Sequence, residues 1–231
     1  MWRYLSRRLD PRSAIISTFA TSLVLSLVCS LSIQQGHAQA SVAASADAIT
    51  PLEAGDRAPQ FVVRSVDDQA FTFEPAALER PALIVTFRGG WCPYCNMHLS
   101  ELRNVVPEIA AMGIDVLFLS GDRPELLYKS LAADTQDDIA DLNYRILSDA
   151  DAEAAIAFGI AFKASDATIS RRYAKGDDIE NSSMTRHGIL AVPAVYAVDR
   201  DGVIAFAFVE PNYRVRLPAG ELLAAAREIV Q

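Results

Sequence analysis

The sequence predicts an α/β fold in which one mixed β-sheet carries helices on both faces. Two observations predict it. Apolar runs of strand length at residues 82–87 and 114–119 alternate with stretches of helical periodicity, which implies parallel pairing. Further on, residues 195–198 and 203–208 flank Asp199-Arg200-Asp201-Gly202, a hairpin signature that adds antiparallel strands to the same sheet.

The elements follow in order. Residues 61–65 and 71–73 flank Asp67-Asp68-Gln69 and read as an N-terminal β-hairpin. After the strand at 82–87, Cys92 opens a helix in which Met97, Leu99, Leu102 and Val105 or Val106 recur at helical spacing. Pro107 has no N–H to donate and should kink or split that helix, and Met112-Gly113 ends it. A helix is expected over 125–133, a short strand over 144–147, and a helix over 151–158 stopped by Gly159. Residues 161–188 are polar and mixed, the longest stretch without clear periodicity, and read as an insertion or a mobile active-site loop. An amphipathic helix over 220–230 closes the chain.

The first 40 of the 231 residues differ from the rest. Arg3, Arg7, Arg8 and Arg12 make a basic start, residues 14–33 carry no charge, and Ala38-Gln39-Ala40 is a small-x-small cleavage pattern. That order reads as a secretory signal peptide, and the expected location is the periplasm after cleavage. An uncleaved membrane anchor is the alternative, since about 20 apolar residues span a bilayer. Residues 41–56, rich in Ala and Ser, read as a flexible lead-in to a redox domain at 57–231. Removing residues 1–40 takes away four Arg and one Asp and leaves 17 basic against 28 acidic residues, a net charge of −11. An acidic chain without a basic run argues against nucleic acid and anionic membrane surfaces as partners. The domain itself is not expected to be membrane-embedded.

Cys92 and Cys95 remain as a Cys-x-x-Cys pair, too close in sequence to staple a fold. Redox chemistry or metal binding is left. The order strand, short loop, cysteine, helix places Cys92 at a helix N-cap and Pro93 at the first helical position. The positive end of the helix should lower the Cys92 pKa, while Cys95, one turn on and more buried, should keep a higher one. Cys92 is then the attacking thiolate and Cys95 the resolving thiol. A haem site would need His after the second cysteine, where Asn96 stands. Cys92, Cys95, His98 and His187 are a candidate set for zinc or copper. No other cofactor is expected.

Trp91-Cys92-Pro93-Tyr94-Cys95 after a buried strand resembles the thioredoxin superfamily, and Val192-Pro193 resembles its cis-proline loop. The resemblance implies a thioredoxin-like fold with the 161–188 segment inserted before that loop. It also implies a substrate groove formed by Trp91, Pro93, Tyr94, Val192 and Pro193. Phe87-Arg88-Gly89-Gly90-Trp91-Cys92-Pro93-Tyr94-Cys95-Asn96 more closely resembles the peroxiredoxin-like branch, the family of alkyl hydroperoxide reductase and thiol-specific antioxidant. Leu147-Ser148-Asp149, Val198-Asp199-Arg200-Asp201-Gly202 and Asn212-Tyr213-Arg214-Val215-Arg216 fit the same branch.

Peroxidatic sites of that family resemble Pro-x-x-x-Thr/Ser-x-x-Cys. With Cys92 as the cysteine, the Pro position is Val85 and the Thr position is Gly89. The position of the family's peroxide-activating Arg is Pro193, and the buried carboxylate usual in thioredoxins is replaced by Thr86. Thr86, Arg88 and Arg186 are candidates to supply the missing electrostatic assistance. The leading expectation is thus exported thiol–disulfide exchange on a protein substrate, with a thioredoxin-like or membrane electron donor. The alternative is a thioredoxin-dependent thiol peroxidase acting on hydrogen peroxide and organic hydroperoxides, and the third reading is a copper- or metal-binding module.

Overall fold

The computed structural model describes residues 41–139, 144–176, 179 and 182–230; the signal peptide expected at residues 1–40 lies outside them. The strands are β1 (Phe61–Arg64), β2 (Ala70–Phe73), β3 (Ala82–Phe87), β4 (Asp115–Ser120), β5 (Arg145–Ser148), β6 (Ala161–Lys163), β7 (Ile189–Ala191), β8 (Ala194–Val198) and β9 (Ile204–Val209). The α-helices are α1 (Pro93–Leu102), α2 (Val106–Ala111), α3 (Ala133–Ile139), α4 (Glu153–Ala157), α5 (Asp166–Ala174), α6 (Ser183–His187) and α7 (Ala219–Glu228).

Seven strands form one sheet in the order β2-β1-β5-β4-β3-β8-β9, and β6 and β7 form a separate two-stranded sheet. β3 is buried along its whole length because both of its faces are covered. It runs parallel to β4 and antiparallel to β8, so the predicted mixed sheet is present. Side chains alternate between the two faces. Ile84, Leu117, Leu119 and Tyr196 pack with Phe158 and Met184 on one face. Leu83, Val85, Val116 and Phe118 pack with Leu99, Leu102, Ile109 and Leu222 on the other.

Pro107 divides the expected long helix into α1 and α2, and Gly113, at φ +81, lets the chain turn into β4. The helix expected over 125–133 is instead a short 3₁₀ turn at Pro124–Leu126, with α3 starting only at Ala133. The Ala132 N–H is diverted from a helical ladder there and donates to Asn96 Oδ1 at 2.9 Å, while the Ser130 side chain donates to Asp122 at 2.7 Å. The segment 161–188 folds into β6, α5 and α6. The expected flexible lead-in is hydrogen-bonded to it: Ala43 N–H donates to Ala161 O and Lys163 N–H donates to Ala43 O, both at 2.9 Å.

One expectation about the loop before β8 is corrected. The Val192–Pro193 bond is trans, as no cis peptide bond occurs among the described residues. The Thr86 hydroxyl ties both sides of this proline: it donates to Val192 O at 3.1 Å and accepts from Ala194 N–H at 3.0 Å. The trans form is also the intrinsic preference of an X–Pro bond, by about 0.5–1 kcal/mol. No helix among the described residues is long and apolar enough to cross a membrane.

Asp149 fixes the C-terminal ends of β4 and β5. Its own N–H donates to Ser120 O at 2.7 Å, and its carboxylate oxygens accept from Ala154 N–H and Ala155 N–H, each at 2.9 Å, at the start of α4. Asp149→Ala leaves these buried amides unpaired. The expected loss is about 1–3 kcal/mol of stability, read as a lowered denaturation midpoint in urea; an unchanged midpoint would mean that Asp149 contributes nothing to the fold.

Candidate active site

Four residues lead from β3 into α1, and packing decides what they are. Gly89 has φ +138, a conformation that side chains disfavour. A Cβ on Gly90 would lie 2.2 Å from the Ser130 carbonyl carbon, so no larger residue fits. The Gly90 N–H donates to Asp122 Oδ2 at 2.7 Å, and Asn96 Nδ2 donates back to Gly90 O at 2.7 Å. This clamp holds the first turn of α1. Cys92 is its N-cap residue, with the Cys95 N–H donating to Cys92 O at 3.0 Å.

Both cysteines are free thiols and only 1% exposed. Arg216, from the segment before α7, places Nη2 3.4 Å from Cys95 Sγ. Burial alone would push the Cys95 thiol up. A hydrogen bond from the Cys92 thiol, the Arg216 charge, the Arg88 backbone N–H and the Arg216 hydrogen bond outweigh it, and Cys95 falls to about 6. Cys92 is pushed up, first by its hydrogen bond to Cys95, then by burial and by the Cys95 charge. That direction is opposite to the order that helix polarity alone predicts. The guanidinium stands on the second sulfur and favours a negative charge there.

Arg216 is itself held in place. Its Nη1 donates to Tyr213 O and, at 2.8 Å, to Val215 O. The next residue, Leu217, accepts from the His98 ring at 3.1 Å. Burial, then the Arg216 charge, lower His98 to about 4, so the ring is neutral and Nε2–H is the donor. His98 thus anchors the segment that carries Arg216.

Other candidate residues are distributed as follows. Arg88 is 7% exposed; its charge acts on both cysteines, and its guanidinium lies 4.8 Å from the Tyr213 ring centroid. Tyr94 meets Tyr213 edge-on at 5.7 Å, and Trp91 lies under Arg172 at 4.7 Å. Pro93 is exposed, while Val192 and Pro193 are buried. The Thr86 hydroxyl is engaged with the backbone of residues 192 and 194 and does not serve the thiols. Arg186 pairs with Asp151 at 3.0 Å on the surface, so it does not assist them either. The set Cys92, Cys95, His98 and His187 is not brought together. His98 faces Leu217, His187 bonds to Ala150 O at 2.8 Å, and no group of three or more His, Cys, Asp or Glu among the described residues is placed to hold a metal ion. Arg216 was missed as a site residue. Its only sequence signal was the arginine-rich motif before the last helix, and nothing in that motif says that it folds back over α1.

Residues 54–207 match the AhpC/TSA family. The chain belongs to that family. It is 30% identical to peroxiredoxin Bcp of Escherichia coli K12 over 112 residues, which is 48% of this chain and 67% of the relative. Among solved structures, a peroxiredoxin-like protein from Aquifex aeolicus superposes with a TM-score of 0.58 at 20% identity, covering 78% of this chain and 89% of that one. BcpB of Mycobacterium tuberculosis superposes with a TM-score of 0.54 at 16% identity, covering 77% and 98%. The fold is thioredoxin-like, and this family member is a peroxiredoxin-like antioxidant oxidoreductase. The expected periplasmic location is withdrawn: the comparisons match peroxiredoxins such as Bcp and BcpB and give it no support. They also give no support to exported disulfide exchange or to a membrane electron donor.

The shared charge predicts a pH dependence. Thiolate absorbance near 240 nm should rise as pH increases through about 6, the Cys95 value, and account for one sulfur only. Arg216→Ala removes a cation within contact distance and should raise that midpoint by about 1–3 pH units. An unmoved midpoint in the variant would show that Arg216 does not hold the charge.

Proposed function

We propose that the protein is a thiol peroxidase that reduces hydrogen peroxide and organic hydroperoxides, with Cys95 as the attacking sulfur and Cys92 as the resolving one. The observation that carries this reading is the Arg216 guanidinium 3.4 Å from a buried Cys95 sulfur that also accepts the Cys92 thiol proton. The family pattern can also be counted from the second cysteine. With Cys95 in the cysteine position, Cys92 falls on the Thr/Ser position and Arg88 on the Pro position. The Cys92 thiol then does what that hydroxyl would do, donating to the thiolate.

The steps balance as follows. The Cys95 thiolate attacks the terminal oxygen of ROOH, forming an S–O bond as the O–O bond breaks and RO⁻ leaves. Arg216 stabilises the developing negative charge on the oxygens, the role left vacant by Pro193. A proton from solvent converts RO⁻ to ROH, and Cys95 is left as a sulfenic acid. Cys92, which is now the only thiol of the pair, attacks that sulfur as its thiolate. An S–S bond forms, and the departing hydroxide takes the thiol proton to leave as water. A thioredoxin-like dithiol supplies the two electrons that restore the pair.

Burial also favours a small oxidant. Sulfurs that are 1% exposed need only slight opening to meet a peroxide, whereas a protein disulfide must bring a whole backbone to them. Thiol–disulfide exchange is therefore expected only in the regeneration step.

Stopped-flow mixing of the reduced protein with hydrogen peroxide, or with glutathione disulfide, tests the reading. Peroxide should react orders of magnitude faster than it does with free cysteine, and faster than the disulfide does. Arg216→Ala should lower the peroxide rate by about 100-fold or more. A slow peroxide reaction beside a fast disulfide reaction would contradict the proposal.

A further inference from the structure

Arg88, on the loop that leads to the cysteine pair, also lines a cleft of about 240 Å³ that the reaction described so far does not use. Its polar lining comes from the cations Arg88, Arg171, Arg172 and Lys175 together with Thr168, and no carboxylate lines it among the described residues. Phe162, Leu190 and Tyr213 supply an apolar wall. Three of the four cations come from α5 and the residue after it, within the segment added before β7. The cleft is therefore a product of that insertion, in a chain whose overall charge is acidic.

Arg88 is the residue that marks the cleft as a binding site. It is 7% exposed, lies between the rings of Tyr213 at 4.8 Å and Phe162 at 5.6 Å, and its Nε has no hydrogen-bond partner among the described residues. A buried guanidinium without a carboxylate is costly to hold, and an anion entering the cleft would relieve that cost. The same side chain acts on the charge of the cysteine pair and lines the cleft, so it joins the two. Arg171 and Lys175 are exposed at the mouth, placed to draw an anion in.

We propose that this cleft binds the carboxylate of a small, otherwise apolar organic hydroperoxide and presents its O–O bond to Cys95. The proposal deepens the peroxidase reading and rests on it for the reaction step. Binding itself does not depend on that reading. The apolar wall selects against strongly hydrated anions, and the cation rim selects against neutral hydroperoxides of the same shape.

The test compares cumene hydroperoxide carrying a para-carboxylate with the methyl ester of the same compound. The wild-type protein should consume the carboxylate about tenfold faster than the ester, a modest gain for charge steering, and added salt should shrink the gap. In Arg171→Ala/Lys175→Ala the ratio of the two rates should fall to about one. Equal rates in the wild type, or a ratio kept in the double variant, would overturn the proposal. A second arm needs no turnover. The corresponding para-carboxylate alcohol is titrated into Trp2→Phe protein, where Trp91, stacked under Arg172 of the cleft, is the sole tryptophan. Saturable quenching that is lost in the double variant supports the cleft even if neither hydroperoxide reacts, in which case the peroxidase reading alone falls. No saturable binding would sink the cleft.

Discussion

Two thiols are buried together with the Arg216 guanidinium on one of them, and the rest of the site depends on that contact. Burial alone would keep both sulfurs neutral and unreactive. Arg216, 3.4 Å from Cys95, makes one charge tolerable, and the Cys92 thiol completes its solvation by donating to it. A second charge is then prohibited, because two adjacent thiolates in a buried site repel. The outcome is a sulfur poised to attack beside a thiol that keeps its proton until it is needed to resolve.

The fold serves this arrangement from three directions. β3 delivers the loop through a pair of glycines that Asp122, Trp91 and Ser130 leave no room to enlarge. α1 places Cys92 and Cys95 one turn apart, with Asn96 tying the helix back to Gly90 and across to Ala132. The segment before α7 returns over the helix, anchored by neutral His98, and sets Arg216 on the sulfur. Thr86, at the position where thioredoxins resemble one another in a carboxylate, instead braces the backbone on either side of Pro193. In the proposed mechanism the arginine missing from position 193 and the hydroxyl missing from position 89 are replaced from elsewhere, by Arg216 and by Cys92.

The mixed sheet was legible because its strands are apolar runs of the right length and its hairpin turn is explicit. The split of the first helix was legible because Pro107 cannot donate a hydrogen bond. The segment 161–188 was not, since α5 buries no residue of its own and its cations face a cleft and not a core. The cysteine pair was visible from its spacing, but the charge distribution within it was not. Helix polarity alone assigned the thiolate to Cys92; the decisive cation lies 121 positions away in sequence. His98 and His187 looked like metal ligands in the sequence because nothing there reveals the carbonyls they meet. The leading expectation of disulfide exchange gave weight to the absent Thr and Arg; counted from Cys95, the Thr/Ser position is held by the Cys92 thiol, while the Arg position is still Pro193.

The most direct test of this account asks which sulfur takes the oxygen. Reduced Cys92→Thr protein would be treated with one equivalent of hydrogen peroxide, trapped with dimedone, and read by peptide mass spectrometry beside Cys95→Ser. The threonine keeps a donor hydroxyl near Cys95, so the account predicts rapid sulfenic acid formation on Cys95, no intramolecular disulfide, and little reaction in Cys95→Ser. Rapid adduct formation on Cys92 in the Cys95→Ser protein, with an unreactive Cys95 in Cys92→Thr, would contradict it.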